Sequence, residues 1–306
     1  MPRWTTADIP SQAGRTAVVT GPGGLGFETG LGLARAGATV ILAGRNPGKG
    51  AASVAAIRDQ APGAEVRFEA LDLASLASVA AFCGRMTAAG SSLDILVNNA
   101  GVMAPPRRQV TADGFELQLG TNYLGHFALT AGLLPLLRAG AGPRVVSLSS
   151  VAHRQGKIQF GDLQFERRYV PWGAYAQSKL AMLMFALELQ RRSDAAGWGL
   201  MSNAAHPGFS RTELIANGPG AAGPMGAVSR LMGGLVGQSA AAGALPTLMA
   251  ATAPEAKGGA YYGPTGPFEI VGPPGPAAMS ALARDPLTAA RLWEVSEALT
   301  GVRFGR

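Results

Sequence analysis

Short apolar runs alternate with stretches of helical periodicity along most of the chain. Runs of strand length begin at Thr16, Ala38, Val66, Asp94, Pro143 and Trp198, with a shorter one at Ala260. Helical patterns cover residues 27–36, 47–60, 76–90, 113–138, 173 onward, 238–252 and 287–300. Such alternation is typical of an α/β protein with a doubly wound parallel sheet, whose ligand crevice lies at the carboxyl ends of the strands.

Local signals predict where several of these elements begin and end. Asn46-Pro47 is a favourable helix start, because an N-cap residue precedes a proline at the first helical position. Ser75 is a second candidate N-cap. Pro135 is expected to bend or end the helix that contains it. Residues 264–280 are rich in proline and glycine and are predicted to be irregular.

A glycine-rich segment, Thr20-Gly21-Pro22-Gly23-Gly24-Leu25-Gly26, joins the first predicted strand to the first helix. Gly21, Gly23 and Gly26 match G-x-G-x-x-G, in which the glycines allow a tight turn, backbone approach to a pyrophosphate and close helix–strand packing. The helix N-terminus adds free N–H groups for the phosphates. The segment predicts a Rossmann-like dinucleotide site, although an ordinary tight turn is the alternative in a chain with 43 glycines.

The end of the second strand bears on the choice of dinucleotide. NAD-binding folds usually place an acidic residue about 20 positions beyond the glycines, but no acid lies between Thr29 and Asp59. Arg45 stands there and can pair with the 2′-phosphate of NADP. We therefore expect NADP(H) rather than NAD(H), with an exposed loop arginine as the alternative. The predicted cofactor residues at these strand ends are Gly21, Gly23, Gly24, Leu25, Gly26, Arg45, Asp72, Leu73, Asn99, Ala100 and Gly101.

Four polar residues farther along are the candidate catalytic group: Asn122, Ser150, Tyr175 and Lys179. Tyr175 and Lys179 lie four apart in a predicted helix and so share one face of it. Each residue alone has an ordinary explanation, such as a solvated asparagine or a serine turn. Their order after a glycine turn and an Asn-Asn-Ala-Gly strand end predicts instead that they meet at one crevice.

This motif set resembles the short-chain dehydrogenase/reductase superfamily from Thr16 to about Thr212. The segments Asn122-Tyr-Leu-Gly-His-Phe and Ser149-Ser-Val-Ala-His153, with a long insert before Tyr175, are most similar to the branch of retinol dehydrogenase and protochlorophyllide reductase. The resemblance implies an NAD(P)(H)-dependent oxidoreductase that interconverts a lipophilic alcohol and its ketone or aldehyde. The same chemistry with NAD(H), and a dinucleotide-binding sensor without turnover, are the alternatives.

The resemblance also implies roles for the polar group. Tyr175 would be the general acid/base, and Ser150 would hydrogen-bond the substrate oxygen. Lys179 would hold the nicotinamide ribose, and its charge would lower the pKa of a phenol that is otherwise a poor base near pH 7. Asn122 would hold a water in a proton relay. The residues expected at the nicotinamide amide are Pro207, Gly208 and Thr212.

One feature departs from the pattern of the family. Its glycine motif is TGxxxGxG, but only two residues separate Gly21 from Gly24 here. The shortened loop lacks polar side chains that often touch the adenosine ribose, and it is expected to alter cofactor affinity.

The chain is predicted to be a single domain over residues 1–306. Residues 208–240 are apolar and predict a substrate lid, with a packed helix pair as the alternative, and residues 264–306 form a C-terminal extension. Among the histidines, His153 is a candidate for the substrate entrance, although a loop role is the simpler expectation.

The amino-acid composition limits the kinds of molecule that the protein is expected to bind. The net charge of +7 comes from scattered arginines, which suit an anionic cofactor better than nucleic acid. The single cysteine, Cys83, excludes internal disulfides, and three dispersed histidines make a metal site improbable. No signal region or membrane span is evident, so a cytoplasmic protein is expected. The resemblance leaves a homodimer, a homotetramer and a monomer open.

Overall fold

The computed structural model describes residues 4–90, 92–210 and 237–305. In these residues the strands are Thr16–Thr20 (β1), Thr39–Gly44 (β2), Val66–Ala70 (β3), Ile95–Asn98 (β4), Arg144–Leu148 (β5), Met201–Ala205 (β6), Tyr261–Pro264 (β7) and Pro274–Pro276 (β8). They form one sheet in the order β3-β2-β1-β4-β5-β6-β7-β8. All neighbours pair in parallel except β7 and β8, which are antiparallel.

Helices cover both faces of this sheet. The longer ones in the described residues are Leu25–Arg35 (α1), Pro47–Gln60 (α2), Leu76–Ala88 (α3), Gly125–Arg138 (α4), Pro171–Ala196 (α5), Ala240–Thr252 (α6) and Pro286–Thr300 (α7). In β1, Val18 belongs to the core under α3, α4 and α5, whereas Ala17 and Val19 belong to the core under α1, α2 and α6. Successive strand residues face opposite ways, so the doubly wound sheet predicted from sequence is confirmed.

The strand order places a crevice between β1 and β4. The chain moves outward from β1 to β2 and β3 and then returns to the other side of β1 as β4. At such a reversal the connections leave in opposite directions and open a space beyond the carboxyl ends of the two strands. The glycine turn follows β1 and Asn99 follows β4, so both border this space.

The predicted helix over 113–138 begins later than the sequence indicated. Residues 112–114 form a turn, and the helical run begins at 117 with a π-helical turn, Leu119–Leu124, that leads into α4. Its wider hydrogen bonding is shown by Gly125 N–H, which donates to the carbonyl of Gly120 five residues back. Pro135 lies inside α4 and does not end it. The apolar periodicity of the segment did not predict the change from a π-helical turn to an α-helix.

The C-terminal region contains one strand that the sequence analysis missed. Residues 264–280 were predicted to be irregular, yet Pro274–Pro276 forms β8 at the sheet edge. Proline is tolerated in an edge strand because one side of the strand needs no ladder hydrogen bond. Helix α7 then returns to the main core, where Trp293 is buried and its ring stacks on Phe185 at 5.8 Å.

Two predictions fall beyond what the structure covers. Most of the predicted lid, residues 211–236, and Thr212 within it, lie outside the described residues. Within the described residues no helix has both the length and the apolar character needed to cross a membrane.

Candidate active site

The glycine turn between β1 and α1 has three glycines with distinct geometric requirements. Gly21 and Gly24 have φ angles of 80° and 52°, which side chains with a Cβ rarely adopt. A Cβ on Gly26 would lie 1.8 Å from the carbonyl oxygen of Gly21, so this glycine lets α1 pack directly on the turn. Gly23 has no described atom within 4 Å of its Cβ position. Its backbone is therefore open to a ligand, as expected for the second glycine of the motif.

A cavity of about 630 Å³ lies over this turn, at the carboxyl ends of the strands. Most of the predicted site residues lie on its wall: Gly21, Gly23, Gly24, Leu25, Arg45, Asp72, Leu73, Asn99, Ala100, Gly101, Ser150, Tyr175, Lys179, Pro207 and Gly208. Gly26 packs beneath the turn, and Asn122 is buried behind the wall. The fold thus brings residues from seven separate segments to one cavity.

Hydrogen bonds from Thr20 and Asn99 hold the ends of β1 and β4 together. The hydroxyl oxygen of Thr20 accepts the backbone N–H groups of Asn99 at 2.9 Å and Ala100 at 3.0 Å. In return, the Asn99 side-chain amide donates to the carbonyl of Thr20 at 2.6 Å. Because these bonds join the glycine turn to the segment after β4, the two sides of the cavity have a defined spacing.

Tyr175 and Lys179 lie on one face of α5, as their spacing predicted. Lys179 Nζ is 5.8 Å from the centre of the Tyr175 ring and donates to the carbonyl of Leu148 at 3.0 Å. The Ser150 hydroxyl, two residues after β5, interacts with the Tyr175 phenol and acts to lower its pKa. An ammonium has three donors, so Lys179 can bond a ribose hydroxyl while it keeps Leu148.

Burial sets the protonation of both groups. It raises the pKa of Tyr175 to about 12, and the hydrogen bond to Ser150 only partly opposes this shift. Burial is the larger cause because it disfavours the charged phenolate, and the lowering of that pKa by Lys179 stays a prediction. Burial also lowers the pKa of Lys179 to about 8. At pH 7 the lysine remains charged by about ten to one.

Asn122 lies in the π-helical turn, and its buried side chain bonds both the segment after β4 and α5. We call this pair of connections the Asn122 bracket. Its side-chain oxygen accepts Val102 N–H at 2.7 Å, and its amide donates to the Val102 carbonyl and to Ser178 Oγ, both at 2.9 Å. A Cβ on Gly101 would lie 3.1 Å from Asn122 Oδ1 and 3.7 Å from Lys179 Nζ. Asn122 therefore joins the segment after β4 to α5 next to Lys179. Its predicted contact with a relay water stays a prediction.

The wall residues fit a nicotinamide dinucleotide. Arg45 and Lys49 are exposed beside the end of β2, on the side where the adenosine ribose of a dinucleotide would lie. The N-terminus of α1 opens onto the cavity beside Gly23 and can receive the pyrophosphate.

Asn46 caps α2 by accepting Lys49 N–H at 3.0 Å, so the cap predicted from sequence is confirmed.

Sequence reasoning missed part of the cavity wall. Trp172 lines the cavity, its ring is 5.5 Å from that of Tyr175, and its indole N–H donates to Gln155 at 2.8 Å. Met103 and Val151 add apolar surface near the phenol. The one available signal was the position of Trp172, which lies three residues before Tyr175 and so about one helical turn away.

His153 does not line the cavity. It is buried, and its Nδ1 bonds the carbonyl of Ser150 at 2.7 Å, which matches the loop role rather than the entrance role. Among the described residues, no three His, Cys, Asp or Glu side chains come together as metal ligands do.

The family model described as short chain dehydrogenase matches residues 15–219. The chain belongs to this family. It is 43% identical to mouse (Mus musculus) polyprenol dehydrogenase, covering 97% of this chain and 87% of that protein. It is 40% identical to human (Homo sapiens) retinol dehydrogenase 12, covering 98% and 90%. The predicted retinol dehydrogenase-like branch is thus confirmed.

Solved structures agree with the fold. An uncharacterized protein from Mycobacterium paratuberculosis is 43% identical, with a TM-score of 0.82 and full coverage of both chains. A short chain dehydrogenase from Shigella flexneri, complexed with NADP, is 26% identical with a TM-score of 0.64, covering 83% of this chain and 97% of that one. Family and fold together identify an oxidoreductase that acts on alcohols and carbonyls with a nicotinamide dinucleotide.

Proposed function

We propose that this protein is an NADP(H)-linked carbonyl reductase and alcohol dehydrogenase for lipophilic substrates, with Tyr175 as the proton donor. The observation that carries the proposal is the placement of Tyr175. Tyr175 lies in the wall of the cavity, where its phenol interacts with the Ser150 hydroxyl and its ring lies beside the ammonium of Lys179. These are the groups that proton transfer to a carbonyl oxygen needs, namely an acid, an orienting hydroxyl and a cation.

The protonation states favour reduction near pH 7. With the pKa of Tyr175 raised to about 12, the phenol is protonated and ready to donate to a substrate oxygen. Ser150 can hold that oxygen, and the charge of Lys179 stabilises the phenolate that remains. The dinucleotide, when bound, supplies the hydride to the substrate carbon. Oxidation of the alcohol would require the phenolate and should become faster as the pH rises.

The preference for the phosphorylated dinucleotide follows from charge. Arg45 and Lys49 stand at the cavity edge beside β2, and no acidic residue lies between 29 and 58 to bond both ribose hydroxyls. A guanidinium attracts a phosphate, and a carboxylate would repel it. The Shigella flexneri relative complexed with NADP supports the same choice.

The substrate class follows from the cavity wall around Tyr175. Trp172, Met103 and Val151 offer apolar and aromatic surface there. Burial of apolar substrate carbon against such a wall contributes about 25 cal/mol per Å². The names of the relatives, polyprenol dehydrogenase and retinol dehydrogenase, also indicate long unsaturated alcohols.

The test uses the purified full chain. Titration with NADPH and NADH, followed by cofactor fluorescence, should show tighter binding of NADPH. Retinaldehyde and an isoprenoid aldehyde such as farnesal should then oxidise NADPH, whereas glyceraldehyde should react slowly. Faster turnover with glyceraldehyde would contradict the lipophilic class. Binding of NADPH without oxidation by any carbonyl would favour the non-catalytic sensor instead.

A further inference from the structure

His126 is fully buried in α4 and touches two functional segments at once. Its Nδ1 lies 2.8 Å from the backbone carbonyl oxygen of Asn122, in the π-helical turn. Its Nε2 lies 2.9 Å from Thr20 Oγ1, at the end of β1 immediately before the glycine turn. A buried imidazole with both nitrogens bonded at these distances has a single consistent arrangement of protons.

The partners determine which nitrogen carries the proton. A carbonyl oxygen can only accept, so Nδ1 carries the hydrogen and donates to Asn122. In the neutral ring Nε2 is then an acceptor, and the Thr20 hydroxyl must donate to it. Thr20 Oγ1 still has two lone pairs, and it receives Asn99 N–H and Ala100 N–H. The same hydroxyl lies 3.3 Å from the carbonyl oxygen of Val97, which is a more distant acceptor for its single hydrogen than His126 Nε2.

The resulting chain of bonds runs from one side of the cavity to the other. At one end, Thr20 ties the glycine turn to the segment after β4. At the other end, Asn122 brackets Val102 and Ser178, the residue next to Lys179. His126 is the side chain that joins these two brackets. Burial lowers its pKa to about 4, so the neutral form that the chain requires is present at neutral pH.

We propose that His126 is a positioning residue with two separate roles: its Nε2 holds the cofactor turn through Thr20, and its Nδ1 holds the Asn122 segment. The inference rests on the proposed function, but it concerns a side chain that does not line the cavity. It predicts that the two nitrogens of His126 have separable effects. The Nε2 bond should govern cofactor affinity through Thr20, and the Nδ1 bond should govern turnover through Asn122.

Two amide substitutions separate these bonds. In His126→Asn the amide nitrogen takes the place of Nδ1 and can still donate to Asn122, but nothing reaches Thr20. In His126→Gln the amide lies near the place of Nε2 and can accept from Thr20, but the donor to Asn122 is lost. Losing one buried hydrogen bond corresponds to a factor of about 10. His126→Asn should weaken NADPH binding about 10-fold with kcat nearly unchanged, and His126→Gln should lower kcat about 10-fold with Kd nearly unchanged.

Thr20 provides an independent route that leaves the histidine in place. Thr20→Val removes the hydroxyl and should reproduce the weaker NADPH binding of His126→Asn. Thr20→Ser keeps the hydroxyl and should bind NADPH like the native chain. If a histidine variant fails to fold, this pair still decides the cofactor half of the proposal.

A matched control distinguishes a positioning role of His126 from a general loss of protein stability. The Ser193 hydroxyl is buried away from the cavity. It donates to the Leu200 carbonyl and accepts the Leu200 N–H. Ser193→Ala should lower Tm without changing kcat or Kd. If both His126 variants change kcat and Kd together, or change neither, the separate roles of the two nitrogens are refuted. If the native chain binds NADPH but reduces no carbonyl, the proposed function fails, and the Kd values of His126→Asn and Thr20→Val still test the role of the Nε2 bond.

Discussion

Gly23 offers a sharp test of the dinucleotide site, because the fold does not need a glycine there. A Cβ at this position would meet no described atom within 4 Å, and the φ angle of Gly23 lies outside the left-handed region. Gly23→Ala should therefore raise the free energy of unfolding by about 0.4–1 kcal/mol, through reduced freedom of the unfolded chain. The same methyl group would extend into the cavity, where the motif predicts that the pyrophosphate binds.

The expected loss of binding is large. If the pyrophosphate lies against the Gly23 backbone, a methyl group excludes it from that position, and we expect NADPH affinity to fall at least about 100-fold, or about 2.7 kcal/mol. Gly26→Ala is the matched variant, since its Cβ would lie 1.8 Å from the carbonyl oxygen of Gly21. Because a backbone atom must move, this variant should lose both stability, by about 1–3 kcal/mol or more, and NADPH binding.

The assay pairs a fluorescence titration of NADPH with urea unfolding of each variant. The reasoning is supported if Gly23→Ala is slightly more stable than the native chain and binds NADPH poorly, while Gly26→Ala is impaired in both. Native NADPH affinity in a stable Gly23→Ala protein would refute it. The dinucleotide would then lie away from the glycine turn, in spite of the motif.

Three further outcomes are expected. Tyr175→Phe should lower kcat about 100-fold or more and leave the Kd for NADPH nearly unchanged; unaltered turnover would remove Tyr175 as the proton donor. Arg45→Asp should shift the ratio of NADPH to NADH affinity toward NADH, and an unchanged ratio would make Arg45 a surface charge. The free energy of unfolding should fall as pH drops from about 6.5 toward 4, because burial lowers the pKa of His126 and of His206 to about 4 and the unfolded chain takes up protons first. Urea unfolding at pH 7 and pH 5 checks this, and equal stability would contradict it.

The order and type of the main elements could be read from sequence because their signals are local. Buried parallel strands require uninterrupted apolar runs, and caps such as Asn46 and Ser75 act on backbone groups within three residues. β8 was missed because an edge strand of proline and glycine has no such signal. The π-helical turn was missed because it keeps the apolar spacing of an ordinary helix over most of its length.

Some residues of the candidate site could likewise be predicted from sequence, and others could not. The glycine turn and the Tyr175–Lys179 pair are short motifs, so their residue types and spacing are visible in the chain. Trp172 carries no motif, and the segment that contains His126 does not indicate its contact with Thr20, because only folding brings those two residues together.

By itself, the sequence determined the alternation of strands and helices and the identity of the glycine turn. It also determined which residues form the candidate catalytic group, namely Asn122, Ser150, Tyr175 and Lys179. These depend on interactions between residues close in the chain. Only the tertiary structure decided the protonation of Tyr175, because desolvation depends on everything that surrounds the phenol. It also decided that Asn122 is a buried bracket and that His126 joins it to Thr20 across 106 positions of sequence. Burial and hydrogen bonding at this separation depend on how the helices pack on the sheet, which no local pattern records.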